Sequence, residues 1–290
     1  MSVLEAIWRN HYPLLLDSIR MNAYASAITK GIRPDDVVID IGSGTGVLAV
    51  MAAKSGARLV YAVERDESLI PTIAATCRAN GVADRVRIVK ADFRELNASA
   101  FDEEPTAIVS ELFGYFAPHE GVHEVCARAV QMFSKQLRFV PASYRLGAAP
   151  VSDVNFYDSA LSDICGVDMR AFGRDRTSAT FERRVPEGDL CAADAWSDPI
   201  YLIDPRPTEC SWLFHFPAET LVRGIVVFFS TFLDDVCLST SPRAPETSWS
   251  QIVVPSTEAT LVTSGGSLRA TLFCENLQDR SRWECNFQGV

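Results

Sequence analysis

The sequence predicts an α/β protein in which a doubly wound parallel sheet is followed by an antiparallel β-barrel or sandwich. Three observations carry this. From Asp36 to about Ala142 apolar strand-like runs alternate with helix-patterned stretches, as a parallel sheet covered on both faces requires. After Phe139-Val140-Pro141-Ala142 the pattern changes to short alternating runs, LVRGIVVFFSTFL, SQIVV, ATLVT, LRATLFCE and WECNF, which read as antiparallel strands. The length of 290 residues, 48% of them hydrophobic, suffices for two packed cores. The boundary is expected near Pro141, giving segments 1–141 and 142–290.

Residues 4 to 30 place apolar side chains at helical spacing, interrupted by Pro13, and are expected to form one or two helices over the mouth of the first domain. The stretch from Val37 to Asp66 then reads strand, glycine turn, amphipathic helix, strand. RVRIVKADFREL is a third strand ending at Asp92-Phe93, and Ala107–Ser110 a fourth. Inside the second half, residues 156 to 185 resist assignment as strand. Their apolar positions recur at helical spacing, so they are expected to form a helical excursion, either a packed surface flap or an arm that docks on a second subunit.

The acids at the strand ends say what the first domain holds. Asp40 directly precedes the turn Gly42-Ser43-Gly44-Thr45-Gly46, where a carboxylate repels a pyrophosphate but suits the cationic amino-acid end of S-adenosyl-L-methionine. The turn also departs from the dinucleotide fingerprint, since Val47 stands where the third glycine of G-x-G-x-x-G belongs. Glu64, about twenty residues past the glycines, is placed to accept from ribose hydroxyls. Asp92 is placed to accept from an adenine amine, and Phe93 to pack on the ring. Glycines alone are a weak signal, because any doubly wound sheet carries such a turn. Three consecutive strand ends reading methionine, ribose and adenine make a methyl donor the better reading.

A second site follows the fourth strand, in the loop Glu111-Leu112-Phe113-Gly114-Tyr115-Phe116-Ala117-Pro118-His119-Glu120. Strand-end loops of open α/β sheets border the ligand crevice. Gly114 and Pro118 let the chain turn, which brings Glu111 and Glu120 together as two arms. Facing carboxylates repel unless a cation sits between them, and the planar fork of a guanidinium fits that gap. The plainer alternative has Glu111 capping a turn and Glu120 opening the next helix.

Composition limits the remaining possibilities. The net charge of −10 argues against a duplex nucleic acid partner and favours cationic substrates. No apolar run approaches bilayer length, and no basic stretch with an apolar core and cleavage site opens the chain, so a soluble, cytoplasmic protein is expected with no membrane partner. The eight cysteines are scattered without a C-x-x-C pair, which points to reduced thiols and no metal.

Beyond the cofactor motif, SELFGYFAPHE resembles the double-glutamate loop of the protein arginine methyltransferases. HYPLLLDSIRMNAY is similar to that family's N-terminal helix, LSTSPRAPETSWSQIVV to its threonine-histidine-tryptophan loop, and CGVDM at 165 to 169 to its dimerisation arm. The four motifs occur in the family's order and span nearly the whole chain. The resemblance implies a methyltransferase sheet of the seven-stranded type with N-terminal helices over 1–141, then a β-barrel substrate domain over 142–290 whose helical arm, about 156–185, forms a head-to-tail homodimer. It implies that His11 and Arg20 contact the cofactor, Arg20 through its carboxylate, and that Glu111 and Glu120 hold the substrate guanidinium. Leu14, Phe113, Ser248 and Trp249 fall at substrate-facing positions.

The chain departs from the family in four ways, one being that Phe113 and Val122 flank the two glutamates where other members differ. Thr247-Ser248-Trp249 lacks the histidine that pairs with the aspartate matched by Asp17. Leu14 stands where relatives carry the methionine or phenylalanine that governs product type. Only ten residues precede His11, too few for the family's tyrosine-rich lid. The expected activity is methylation of arginine in protein or peptide. Methylation of free arginine or another small guanidine compound, and a silent binding module, are the alternatives.

Overall fold

The computed structural model describes residues 3–134, 136–152, 162–169, 171, 180–233, 235–275 and 280–290. Two helices open the chain, α1 (Val3–Leu16) and α2 (Ser18–Gly31). The break falls at Asp17 and not at Pro13, which lies inside α1. The Pro13 carbonyl still accepts from the Asp17 N–H at 3.1 Å, so the helix runs through the proline. Asp17 ends it by leaving helical geometry and turning its side chain to the next helix, where Oδ1 accepts from the Arg20 N–H at 2.9 Å.

The first sheet alternates strand and helix as expected: β1 (Val37–Ile41), α3 (Val47–Lys54), β2 (Leu59–Glu64), α4 (Ile70–Ala79), β3 (Val86–Lys90), β4 (Ala107–Ser110), α5 (Val122–Met132) and β5 (Arg138–Val140). All pairings are parallel, in the order β3-β2-β1-β4-β5. Five strands stand where the methyltransferase type has seven, because the chain passes from β5 straight into the second sheet. β1 and β2 are buried throughout, as their nearly unbroken apolar sequences demand. The chain steps outward from β1 to β3, then returns to β4 on the other side of β1. The carboxyl ends of β1 and β4 therefore border the switch-point crevice, and both acid-bearing loops open there.

The second sheet holds β6 (Ser143–Val151), β7 (Phe181–Arg183), β8 (Ala195–Trp196), β9 (Ile200–Tyr201), β10 (Glu209–His215), β11 (Thr220–Leu233), β12 (Val236–Ser239), β13 (Gln251–Val262), β14 (Ser267–Phe273) and β15 (Glu284–Gly289). Its main path is β10-β14-β15-β13-β11-β6-β8, antiparallel except where β13 meets β15. It curls toward closure as a barrel: the Trp212 indole on β10 donates to the Leu146 carbonyl on β6 at 3.2 Å. The runs SQIVV and ATLVT, read as two strands, lie on the single strand β13. Pro255 sits at a register irregularity between them, which is how a strand accommodates a residue without an N–H.

Half of the helical reading of 156–185 lies outside the described residues. Within them it is corrected at two places. Ile164 and Val167 form a bridged turn through Cys165-Gly166, both at positive φ, and 181–183 is the strand β7 paired with β13, its backbone claimed by the sheet.

One apolar core runs under both sheets. At their junction Phe113 packs against Tyr144 and Phe229, with ring centroids 6.0 and 5.3 Å apart, and Phe229 meets Trp249 at 5.2 Å. The two sheets are thus welded beside the crevice by aromatic contacts, each favourable beyond its buried area.

Candidate active site

The turn after β1 is built from glycines in left-handed geometry, Gly42, Gly44 and Gly46, with φ of +74°, +53° and +82°. A side chain at Gly42 would strike Leu112, and one at Gly44 would press on the His11 ring at 3.2 Å. The turn is thus enclosed by α1 on one side and the loop from Glu111 to Glu120 on the other. His11 lies beside the Gly44 backbone.

Asp40 is fully buried beneath this turn. Its Oδ2 accepts from the Ser43 hydroxyl and the Ala49 N–H, both at 2.9 Å, so it braces the turn and the start of α3. Its Oδ1 is buried without a partner. Burial pushes its pKa up to about 7 against the opposing pull of those two bonds. An orphaned carboxylate oxygen behind a tight glycine turn is an acceptor awaiting a donor, which fits the ammonium group of an amino-acid-bearing cofactor.

Glu64 ends β2 and is also buried. Its Oε2 accepts from the Gly44 N–H at 2.7 Å and Oε1 from the Asp66 N–H at 2.8 Å. Each oxygen keeps a lone pair, so the carboxylate can still take ribose hydroxyls. The third strand end departs from expectation. Arg94 donates to both oxygens of Asp92 and holds its pKa down to about 2. Phe93 is 3% exposed and lies 6.3 Å from Phe101, inside the core. Adenine recognition at Asp92 would require Arg94 to swing away, and Phe93 offers no open ring face, because a two-residue hydrogen-bonded turn favours the arginine and the core takes the phenylalanine.

Glu111 leaves β4 toward the crevice, and Arg20 comes to meet it from α2, with Nη1 and Oε2 2.9 Å apart and both side chains largely buried. Arg20 also lies over the Trp249 ring, 5.2 Å from its centroid. The same face of α2 carries Tyr24, fully buried, whose hydroxyl donates to the Ser110 carbonyl at 3.3 Å just before Glu111. Glu120 forms the other arm. A side chain at Gly114 would touch the Glu120 Cγ at 3.2 Å, so the loop folds back on itself as Gly114 allows. Although Glu120 keeps a face open to the crevice, packing around its carboxyl, with the nearby Glu111 charge, pushes its pKa up to about 7, while Arg20 pulls the other way.

Residues 22–111 match the family model for ribosomal protein L11 methyltransferase (PrmA). Protein arginine N-methyltransferase 6 of Xenopus tropicalis is 26% identical over 266 residues, covering 84% of this chain and 77% of its own. Protein arginine N-methyltransferase 1 of Schizosaccharomyces pombe is 26% identical over 293 residues, covering 95% and 84%. Among solved structures, the Trypanosoma brucei PRMT1 enzyme–prozyme heterotetrameric complex with AdoHcy superposes with a TM-score of 0.81 at 20% identity, over 97% of this chain and 93% of that one. The curated proteins that this chain resembles are protein arginine N-methyltransferases.

Set beside the arginine methyltransferases, the substituted loop is informative. Ser248 stands in the histidine position yet still meets Asp17: its N–H and hydroxyl both donate to Asp17 Oδ2, at 2.6 and 2.9 Å. Asp17 therefore caps α2 with one oxygen and holds the barrel loop with the other. Trp249, 4% exposed, faces Arg20 and not open solvent. Phe113 corrects its assignment as a substrate contact, since it is fully buried at the sheet junction, where the barrel core outcompetes the crevice for its ring. Leu14 is half-buried on α1. Tyr24, His123 and Tyr144 were not singled out by motif. The four-residue spacing from Arg20 marks Tyr24 as sharing its helix face, while nothing local in the sequence marks the other two.

Proposed function

We propose that this chain is an S-adenosyl-L-methionine-dependent N-methyltransferase acting on the guanidino nitrogen of arginine in proteins or peptides. The reading rests on one arrangement above all: two glutamates on one loop at the switch-point crevice, one ion-paired with Arg20 and the other with its proton affinity raised toward neutrality. Asp40, the Gly42–Gly46 turn, Glu64 and His11 would hold the cofactor, for which the partnerless Asp40 oxygen is the best-fitting contact.

When bound, S-adenosyl-L-methionine supplies an electrophilic methyl group. The chain's own task is positioning, which can account for roughly 7–11 kcal/mol of a barrier when geometry is held. Glu111 and Glu120 take the guanidinium between them and orient its reacting nitrogen. An entering cation favours ionised Glu120, offsetting the burial and, after it, the Glu111 charge that raise its pKa. Drawing positive charge toward the glutamates leaves the reacting nitrogen more lone-pair character. As that nitrogen becomes acidic, Glu120 accepts its proton. Of the two arms Glu120 suits this role, because Glu111 is engaged by Arg20.

A head-to-tail homodimer suits the exposed apolar residues at both ends of the contact. The 164–167 turn presents Ile164 and Val167, and α1 presents Trp8, Tyr12 and Leu16. A cytoplasmic location suits the eight unbridged cysteines.

Incubation with donor labelled in its methyl group, an arginine-rich peptide and free L-arginine tests the activity. Label in the peptide is expected. Label confined to free arginine moves the reading to a small guanidine substrate, and label in neither contradicts it.

A further inference from the structure

His123, the second residue of α5, is buried to 4% exposure and belongs to no motif read from the sequence. Its Nδ1 lies 2.8 Å from the Asp204 carbonyl oxygen and its Nε2 2.8 Å from the Tyr144 hydroxyl. A carbonyl only accepts, so Nδ1 carries the hydrogen, and a neutral ring must then accept the Tyr144 O–H at Nε2. One tautomer satisfies every group. The ring also meets Tyr144 edge to face, with centroids 5.6 Å apart.

The location gives the bond its meaning. Glu120 ends the acceptor loop, Gly121 turns in left-handed geometry at φ +85°, and α5 starts at Val122. His123 therefore sits three residues from Glu120, and its partners belong to the second sheet: Tyr144 on β6 and Asp204 in the turn after β9. Tyr144 in turn packs on Phe113, two residues from Glu111. Both arms of the acceptor loop thus lean on one buried hydrogen-bonded node.

We propose that His123 is a positioning residue for methyl transfer, fastening the Glu120 arm to the second sheet through Asp204 and Tyr144. The proposal rests on the reading of Glu120 as an acceptor ligand. The groups facing the node are Glu124 on α5, Asp204 and Arg206 after β9, and Cys210 on β10 and Cys274 after β14 near Tyr144. Burial lowers the pKa of the His123 ring, opposed by its bond to Asp204, so the single-tautomer node holds at neutral pH and above. Protonation would set an Nε2–H against the Tyr144 hydroxyl and force that hydroxyl to send its hydrogen elsewhere in a buried site.

The test compares wild type with H123L, which loses both bonds, Y144F, which loses one oxygen, and H123Q, whose amide can again donate and accept. Donor affinity by calorimetry is expected to stay within about twofold of wild type in all three, because the donor site is built on β1 and β2. The kcat for an arginine peptide is expected to fall about tenfold or more in H123L and Y144F, and to recover to within about threefold in H123Q. Amide hydrogen exchange at 117–125 is expected to quicken in H123L and Y144F while the amides of β1 and β2 stay protected. Should H123L not fold, Y144F carries both readouts. Wild-type kcat and exchange in H123L or Y144F would overturn the proposal. If wild type methylates no arginine acceptor, the functional reading fails, while exchange at 117–125 still decides whether His123 anchors the arm.

Discussion

Arg20 and Glu111 are ion-paired at 2.9 Å, with the guanidinium lying over Trp249. Before any substrate arrives, the acceptor site already contains one cation of its own. That cation makes two neighbouring acids tolerable in a mostly buried crevice, and it sets them apart: Glu111 has a fixed partner, whereas Glu120 faces the opening.

Removing the cation should therefore be costly. R20M leaves Glu111 largely buried without its counter-charge, and breaking such a pair typically costs about 3–5 kcal/mol. Urea melts at pH 7.5 should show a loss on that scale. Arg20 also lowers the Glu120 pKa, so the acidic limb of the rate profile should move to higher pH in any active residue of this variant.

Glu120 predicts a second pH effect. Its folded pKa of about 7 lies above its ordinary value of 4.5, so the folded state binds more protons than the unfolded state between them. Its contribution to stability is best below 4.5 and is lost as pH rises through 7. E120Q, which cannot ionise, should melt at a higher temperature than wild type at pH 8, with the gap closing near pH 4.5. A constant gap across that range would contradict the assignment.

Asp17 joins α2 to the loop holding Ser248 through one carboxylate. D17A removes the cap of α2 and both bonds from Ser248 and should destabilise the protein by about 2–3 kcal/mol, while S248A, which loses only the hydroxyl bond, should cost about 1 kcal/mol. Chemical denaturation of the two variants and of their double mutant checks this. Because the hydroxyl bond is already lost in D17A, the double mutant should be close to D17A alone.

Much of the fold was legible because its signals are local. Val37–Ile41 is apolar along its whole length, the glycine turn follows at once, and helix spacing then resumes, so β1, the turn and α3 announce themselves. Both glutamates were visible for the same reason, framed by Gly114 and Pro118. What the sequence hid depends on distant contacts. Arg94 claiming Asp92 was a competition between a cofactor and a neighbour two residues away, and Phe113 was claimed by Tyr144 and Phe229 from the other sheet. Pro13 marked the right region but the wrong break, because the cap at Asp17 ended the helix. His123 carried no motif at all, since its partners come from 21 and 81 residues away.

Assembly is testable at the 164–167 turn. Val167 is 54% exposed there, and V167E places a charge in the expected contact without touching the core. Light scattering after size exclusion should show a dimer for wild type and a monomer for V167E. A wild-type protein that stays monomeric at micromolar concentration would contradict the homodimer.

The most direct test is single-turnover methyl transfer to an arginine-rich peptide by E111Q and E120Q, with donor affinity measured on the same preparations. Two carboxylates that hold and deprotonate a guanidinium predict donor affinity within about threefold of wild type and transfer slowed by about a hundredfold or more in each variant. Transfer at near wild-type rate in either one would contradict the account.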